Sequence, residues 1–459
     1  MHDVPELDRI LGMEVYISKT PGIGGRIRQR LEDFIVEEIS KDGKRVHTSL
    51  TGGKEKAPLC GALQGDYTWF VLEKRNLDTI TAIKIIAKSL GLKYSLFSVA
   101  GLKDSRAVTA QLVSAFRVDP RLLEGFRDRY GNIEIRHCVR MPFGIVPGML
   151  YGNHFILVIR SIFLDEDEIL DRVHSITREI MESGVPAFYG YQRFGTIRPN
   201  THIIGKYILQ GKFEDAVMEL LAHSYPNEKP EVAKLRRYIR DTRDYKGALQ
   251  KFPRALSHER TVLRHLSKRE KDYIGALRKL PRNVRRLFIS AYQSFLFNKC
   301  LSRRIKKGVP ISKAVIGDLV AVRTKNGGLG GIIVANERNL DFLNEQILKG
   351  NMVLVLNVLG YGTVIQEGIQ GDIEREVMRE EGISLDIFRS KHMPEVASKG
   401  TYRIACFCPE NLTVSKVYDD ELNTGAKKIT FEFTLTKGLY ATVMLREYMK
   451  PKDIITAGF

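Results

Sequence analysis

Alternation and periodicity of the hydrophobic positions divide the chain into strand-like and helix-like stretches. Asp33-Phe34-Ile35-Val36-Glu37-Glu38-Ile39 reads as a strand after the turn-rich Pro21-Gly22-Ile23-Gly24-Gly25. Residues 66–72 (DYTWFVL) form a second β-rich run. Residues 79–90 then carry Ile80, Ile83, Ile86, Ala87 and Leu90 on one helical face, with Asp78 placed to cap the helix and Gly91 to close it. Phe97-Ser98-Val99-Ala100 is a short buried strand leading into Gly101-Leu102-Lys103-Asp104, and residues 108–118 and 154–160 (HFILVIR) alternate as further strands. Residues 166–183 form an amphipathic helix that Gly184 closes. Strands interleaved with long helices predict an α/β or α+β region.

The pattern changes after residue 230. Residues 230–307 are helix-rich, broken by Pro253 and Pro281, and residues 282–305 give the clearest helix of the chain. On it, Val284, Phe288, Ala291 and Phe295 form one stripe, and Leu287, Ala291, Ser294 and Asn298 its neighbour. Strand signals return at Asp318-Leu-Val-Ala-Val322 and Gly331-Ile-Ile-Val334, around a turn at Asn326-Gly327-Gly328. Residues 368–396 read as helical, 401–408 and 430–435 as strands, and 440–449 as a strand end or a helix. The β character of the first 187 residues thus reappears near the C-terminus, which predicts a domain interrupted by an insertion.

Charge sharpens this division. The chain of 459 residues has a formal net charge of +18. Residues 229–307 hold 24 Lys and Arg against 6 Asp and Glu, so the whole excess sits in that block and the remainder balances at 48 of each sign. Such a block is expected to meet a polyanion through salt-sensitive contacts, the alternative being a long solvated helical face. The five cysteines (Cys60, Cys138, Cys300, Cys406 and Cys408) are odd in number and scattered, with no zinc-site spacing. Cys406 and Cys408 are expected on one strand face as packed thiols, and His137 as structural. These features predict a reducing, cytoplasmic location. No signal-peptide pattern opens the sequence, and no apolar run reaches the length of a spanning helix.

Two segments could carry chemistry. In Ala100-Gly101-Leu102-Lys103-Asp104-Ser105-Arg106 a strand ends in Gly and is followed by Lys, Asp and Arg. Neighbouring cations favour the charged form of a carboxylate, which can then serve as nucleophile or base. Taken alone, an Asp in such a loop more often caps a turn. In Phe188-Tyr189-Gly190-Tyr191-Gln192-Arg193-Phe194-Gly195 aromatics alternate with Gly and Arg, a composition that suits stacking on bases and equally a packed inter-domain turn. The clusters at Gly22–Gly25 and Gly327–Gly331 lack P-loop and dinucleotide-fold context and read as turns.

Six segments, in order, resemble the tRNA pseudouridine synthase D (TruD) family in its archaeal-type long form. Arg28 to Ile39 (RQRLEDFIVEEI) is similar to a basic–PEDFxVxEI stretch, with Leu31 for Pro. Ala100 to Gln111 resembles AGxKDxxAxTxQ, Gly152 to Phe155 resembles GNxF, and Phe188 to Gly195 resembles YFGxQRFG. Gln293 to Asn298 resembles QSxxFN, and Leu435 to Glu447 resembles LPxGSYATxxLRE, with Thr436 and Leu439 for Pro and Ser. The resemblance implies an α+β pseudouridine synthase fold, a mixed central β-sheet flanked by helices, with a large inserted α/β TRUD domain. The expected division is a catalytic domain over 1–187 and 398–459, and an insertion over 188–397 that contains the basic block.

The same resemblance implies isomerisation of uridine to pseudouridine in tRNA, with position 13 the expected target. The enzyme is expected to act as a monomer, without guide RNA, metal, membrane or cofactor. It implies Asp104 as the essential carboxylate, attacking C1′ or removing a proton as a glycal forms, on a base flipped out of its stack. By motif position Arg28 pairs with Asp104, Phe34 and Tyr440 flank the flipped base, and Asn153 and Phe155 contact substrate. Lys103, Arg106, Gln192 and Arg193 are assigned to steering RNA or bracing the loop. Without the resemblance, Phe34, Phe155 and Tyr440 would read as core and Asn153 as a turn residue. The rival reading is a non-catalytic RNA-binding protein on the same fold; Asp104 with its Gly and Lys neighbours favours the enzyme. A methyltransferase would need a glycine-rich cofactor loop that the sequence lacks.

Overall fold

The computed structural model describes residues 3–52, 64–324 and 328–459. Cys60 and the Asn326-Gly327 part of the expected turn lie outside the described residues. The first strands are β1 (Phe34–Ile39), β2 (Tyr67–Arg75), β3 (Phe97–Val99), β4 (Val108–Phe116), β5 (Ile133–Met141) and β6 (Gly152–Ile162). After the helix Glu166–Ser183 comes the short β7 (Val185–Pro186). Seven helices follow between Thr201 and Lys306, then β8 (Leu319–Arg323), β9 (Leu329–Val334), β10 (Met352–Val358) and β11 (Thr401–Ile404). The chain closes through β12 (Cys406–Phe407), β13 (Glu410–Val414), β14 (Tyr418–Asp419), β15 (Lys427–Thr436) and the helix Ala441–Met449.

The large sheet runs β13-β15-β6-β1-β4-β2-β5, with β14 added to β15 and β3 to β4. It is mixed: β1 and β4 are parallel and every other pair is antiparallel. Residues of the first 162 positions and of the last 50 therefore share one sheet. β1 lies in its centre, paired on both edges, so all six of its residues are buried, Glu37 and Glu38 included. Glu37 is satisfied by Thr48, whose amide donates at 2.6 Å, and by Arg45. Glu38 pairs with Lys103 at 2.7 Å.

A second sheet, β11-β10-β8-β9, is built from the later residues. A helical core of its own, with Ile204, Val262, Leu277 and Tyr292, fills the region between the sheets in sequence. Another apolar cluster is continuous from Phe34 and Phe431 of the large sheet to Val320 and Leu354 of the small one. β12 pairs with β7 where the chain returns.

Several elements differ from the sequence expectation. Ile80 is 37% exposed, because the helix Thr79–Ser89 buries Thr79, Ala82, Ile83, Ile86 and Ala87 and leaves Ile80 outside that face. The helix expected over 368–396 stops at Glu381, where Gly382 adopts φ 64°; two short 3-10 turns follow. Leu329-Gly330-Gly331 is strand, not turn. The strand expected over 401–408 breaks at Ala405, which bonds to Leu354 of β10, and Cys408 emerges exposed while the Cys406 thiol donates to the Ile311 carbonyl at 3.1 Å. Leu287 is also exposed.

The basic block is less free than its local count suggests. Arg304 forks onto Asp318 at 2.6 and 2.8 Å, fully buried, and Arg236 binds Glu228 and Glu259. Lys299 and Arg303 meet Glu380, and Arg278 and Arg285 meet Glu395. Acids from later in the chain thus neutralise part of the block internally. Among the described residues no helix is long and apolar enough to cross a membrane.

Candidate functional site

The site follows from strand register. In a strand, alternate residues share a face, and directly opposed residues of neighbouring strands do too. Val36 opposes Phe155 and Glu38 opposes Asn153 across β1 and β6, and Phe155 opposes Phe433 across β6 and β15. Phe34, Val36, Asn153 and Phe155 therefore look out from one face. Because β1 and β4 are parallel and in register at Ile35 and Val108, the segments that lead into them end side by side. That brings Arg28 and Phe34 next to the loop bearing Asp104.

Over this face lies a pocket of about 310 Å³ lined by Phe34, Val36, Lys103, Asp104, Asn153, Phe155, Gln192 and Tyr440, among others. The Arg28 guanidinium lies 3.9 Å from Asp104 Oδ1 and 3.9 Å from the centre of the Phe34 ring. Arg28 takes a left-handed backbone (φ 58°), sparsely populated by non-glycine residues, and donates to the Gly458 carbonyl at 3.1 Å. Burial lowers its pKa from the ordinary arginine value, and Asp104 pulls the other way. Asp104 keeps about a third of its side chain open (34%), so the carboxylate is reachable. Phe34 meets Phe155 edge to face at 6.5 Å, and Phe155 stacks on Phe433 at 5.5 Å. Both rings are nearly buried and still line the pocket, so they act as core and wall together. Asn153 Oδ1 is buried there without a partner. An unmet acceptor in a pocket costs free energy until a donor arrives, as the N–H edge of a base would.

Tyr440 precedes the helix Ala441–Met449 and forms the opposite wall. It packs against Tyr189 at 6.5 Å. Gly190 passes so close that a Cβ there would sit 3.0 Å from the Tyr440 ring, which explains glycine at that position. Arg403, from β11, lies 4.1 Å from the Tyr189 ring centre and 5.9 Å from that of Tyr440, and donates to the Ala187 carbonyl at 2.7 Å. Nothing in the local sequence marked Arg403. Lys103 points inward to Glu38 and is a loop brace, while Arg106 is exposed and reaches the Arg28 carbonyl at 3.4 Å. Gln192 lines the pocket, with Thr442 Oγ1 at 3.5 Å.

Arg193 opens onto a neighbouring cleft of about 560 Å³, shared with Arg282, Asn283, Arg286 and Gln293. Among the described residues none of these three arginines has an ion-pair partner, and Arg193 Nε is buried without a hydrogen bond. Arg282 and Arg286 lie in the first turns of the helix Arg282–Lys306, whose N-terminal end is itself favourable to anions. Other motif residues are structural. Asn298 accepts from the Tyr189 amide at 2.8 Å and donates to the Leu11 and Tyr189 carbonyls, fixing the segment before Gln192. Arg446 and Glu447 bind the N-terminal segment.

A mixed α+β fold that sets one carboxylate among aromatic faces, beside an unpaired basic cleft, has the make-up of an RNA-modifying enzyme. A family model described as tRNA pseudouridine synthase D (TruD) matches residues 10–448. A relative from Methanococcoides burtonii, named "Probable tRNA pseudouridine synthase D", is 36% identical, with 99% of each chain covered. One of the same name from Methanosarcina acetivorans is 37% identical, with 98% of each covered. The crystal structure of a Methanosarcina mazei protein assigned to TruD superposes with a TM-score of 0.80 at 36% identity, covering 98% of this chain and 99% of that one. The chain belongs to the tRNA pseudouridine synthase D (TruD) family.

Proposed function

We propose that this chain, a tRNA pseudouridine synthase by family, isomerises the uridine at position 13 of tRNA in the Asp104 pocket. The observation that carries the reading is the Asp104 carboxylate, open to the pocket and 3.9 Å from the Arg28 guanidinium that lies over Phe34. The N1–C1′ bond breaks, the uracil turns, and a C5–C1′ bond forms as C5 gives up its proton and N1 takes one up. Attack of the carboxylate on C1′, or proton removal leading to a glycal, both require the anion beside the sugar. Phe34 and Tyr440 are placed to hold the ring while it is unattached, and Asn153 Oδ1 to accept from its edge. The base must leave its stack to enter. Isomerisation adds and removes no atoms, so the proposal invokes no cofactor.

In this reading residues 1–187 and the C-terminal return form a catalytic domain of pseudouridine synthase fold, with a TRUD domain inserted between them. Pairing of Thr401–Ile404 with β10 supports starting the return near residue 405, a few residues past the 398 expected from the sequence. The cleft of Arg193, Arg282 and Arg286 is read as a seat for tRNA phosphates flanking the target. Incubation of the protein with unmodified tRNA, followed by carbodiimide mapping, tests the reading: a new stop at position 13 is expected, and no stop at any uridine refutes it. Replacing Arg282 and Arg286 together by Glu should weaken tRNA binding about tenfold or more and lower the slope of log Kd against log salt by about one to two. Filter binding across a salt series measures both, and an unchanged slope removes this cleft from the interface.

A further inference from the structure

Lys74 is the least expected charge near the site. It lies on β2, opposite Thr109 of β4 and Ile133 of β5, with its residue fully buried. Its ammonium donates to the Leu77 carbonyl at 2.6 Å and the Asp104 carbonyl at 2.7 Å, and the Lys103 carbonyl lies at 3.4 Å. Three hydrogens thus face three main-chain oxygens, two of them on the loop that carries the reacting carboxylate. Among the described residues no carboxylate lies within ion-pair distance of Lys74.

A buried ammonium without a carboxylate is costly, so a mere strut would be better made from neutral groups. Neutral struts are already present. Gln111 Nε2 donates to the Gly101 carbonyl at 3.0 Å, the Lys103 amide donates to Thr79 Oγ1 at 3.0 Å, and Thr79 Oγ1 donates to Gln111 Oε1 at 2.8 Å. What Lys74 adds is a positive charge beneath Asp104 and a fixed direction for its carbonyl.

We propose that Lys74 is a positioning residue for pseudouridine formation: its buried ammonium holds the Lys103-Asp104 backbone so that the carboxylate faces the sugar. The inference rests on the reading of Asp104 as the reacting group. The charges around Lys74 are Asp104 and Lys103 on the same loop, Asp78 at the head of the next helix, Glu38 of β1 paired to Lys103, and Arg28 and Arg106 beyond Asp104. Burial pushes the Lys74 ammonium down to about 8, while Asp104 and Asp78 favour its charged form and Lys103 opposes it. A neutral amine keeps two hydrogens and turns a lone pair toward the third carbonyl, so the loop loosens as pH rises through this value. The sign for stability is opposite. Between the folded and unfolded values the unfolded chain binds the additional proton, so this group makes the fold more stable as pH rises. Turnover falling while the stability toward unfolding rises is a signature that a purely structural lysine would not give.

The test is single-turnover release of tritium from tRNA carrying 5-³H-uridine, measured against pH for the wild type, Lys74→Met, Lys74→Arg and Asp104→Asn, with tRNA Kd and thermal midpoint for each. Expected are a wild-type rate that falls above about pH 8, a Lys74→Met rate at least about tenfold lower per folded molecule with Kd nearly unchanged, and a Lys74→Arg protein whose decline moves to higher pH. A Lys74→Met protein with the wild-type rate per folded molecule, or a wild-type rate that does not fall above that pH, overturns the proposal. If Lys74→Met does not fold, the wild-type profile decides. An active Asp104→Asn protein sinks the underlying site assignment, whereas an inactive one beside a normal Lys74→Met protein sinks the role of Lys74 alone.

Discussion

Asp104→Asn should lower pseudouridine formation at least about a thousandfold while leaving tRNA binding within about twofold. The amide is nearly the same size, and Asp104 sits in a loop whose ties are made by main-chain atoms, so the pocket keeps its shape. What disappears is the anion. An amide neither attacks C1′ nor removes a proton at neutral pH, and no other described carboxylate lines the pocket. Glu38 lies on the same sheet face, but Lys103 holds it at 2.7 Å and it is 1% exposed. Tritium release measures the rate and filter binding the affinity. A mutant with wild-type turnover would remove Asp104 from the chemistry.

Arg446→Met should cost about 3–5 kcal/mol of stability, a loss that reaches the pocket only through the fold. Arg446 belongs to the last of the six recognisable segments, yet its contacts are structural. It is fully buried, pairs with Asp8 at 2.5 Å, and donates to the Val15 and Met13 carbonyls at 2.8 and 3.0 Å. Methionine leaves Asp8 as an unpaired buried charge that, among the described residues, only the Tyr191 hydroxyl serves, at 2.7 Å. Urea unfolding measures the loss. Adding Asp8→Asn should recover part of it, because the stranded charge is gone, and the coupling shows as non-additivity of the two changes. An Arg446→Met protein as stable as the wild type would contradict the account.

The strands and long helices were legible because their periods are local. The helix over 282–305 and the strand at Phe34 fall where the pattern puts them. What was not legible depends on partners distant in sequence. Glu37 and Glu38 make β1 look half-exposed, and only Thr48, Arg45 and Lys103 explain their burial. Lys74 lies two residues past the β-rich run read over 66–72, and its burial comes from the loop at 103–104, which folds over it. The basic block reads as one exposed face because Asp318, Glu380 and Glu395, which neutralise part of it, come later in the chain. For the site, the motifs named Asp104, Arg28, Phe34, Asn153, Phe155 and Tyr440, and the fold brings all six together around one pocket. Arg403 carries no motif, since its contacts with Tyr189 and Tyr440 arise only when the small sheet closes on the large one.

The split sheet has a consequence for biosynthesis. Among the described residues the outer edge of β6 is covered only by β15, and about 265 residues separate Ile162 from Lys427. At translation rates of about 5–20 residues per second, that edge waits roughly 15–50 s for its partner. Throughout that interval the nascent chain presents an open row of amides and carbonyls to the crowded space outside the ribosome. The wall bearing Tyr440 emerges later still. The pocket over β1 and β6 is therefore not closed until Tyr440 to Thr442 have been made, and a chain ended before Lys427 would leave the β6 edge open.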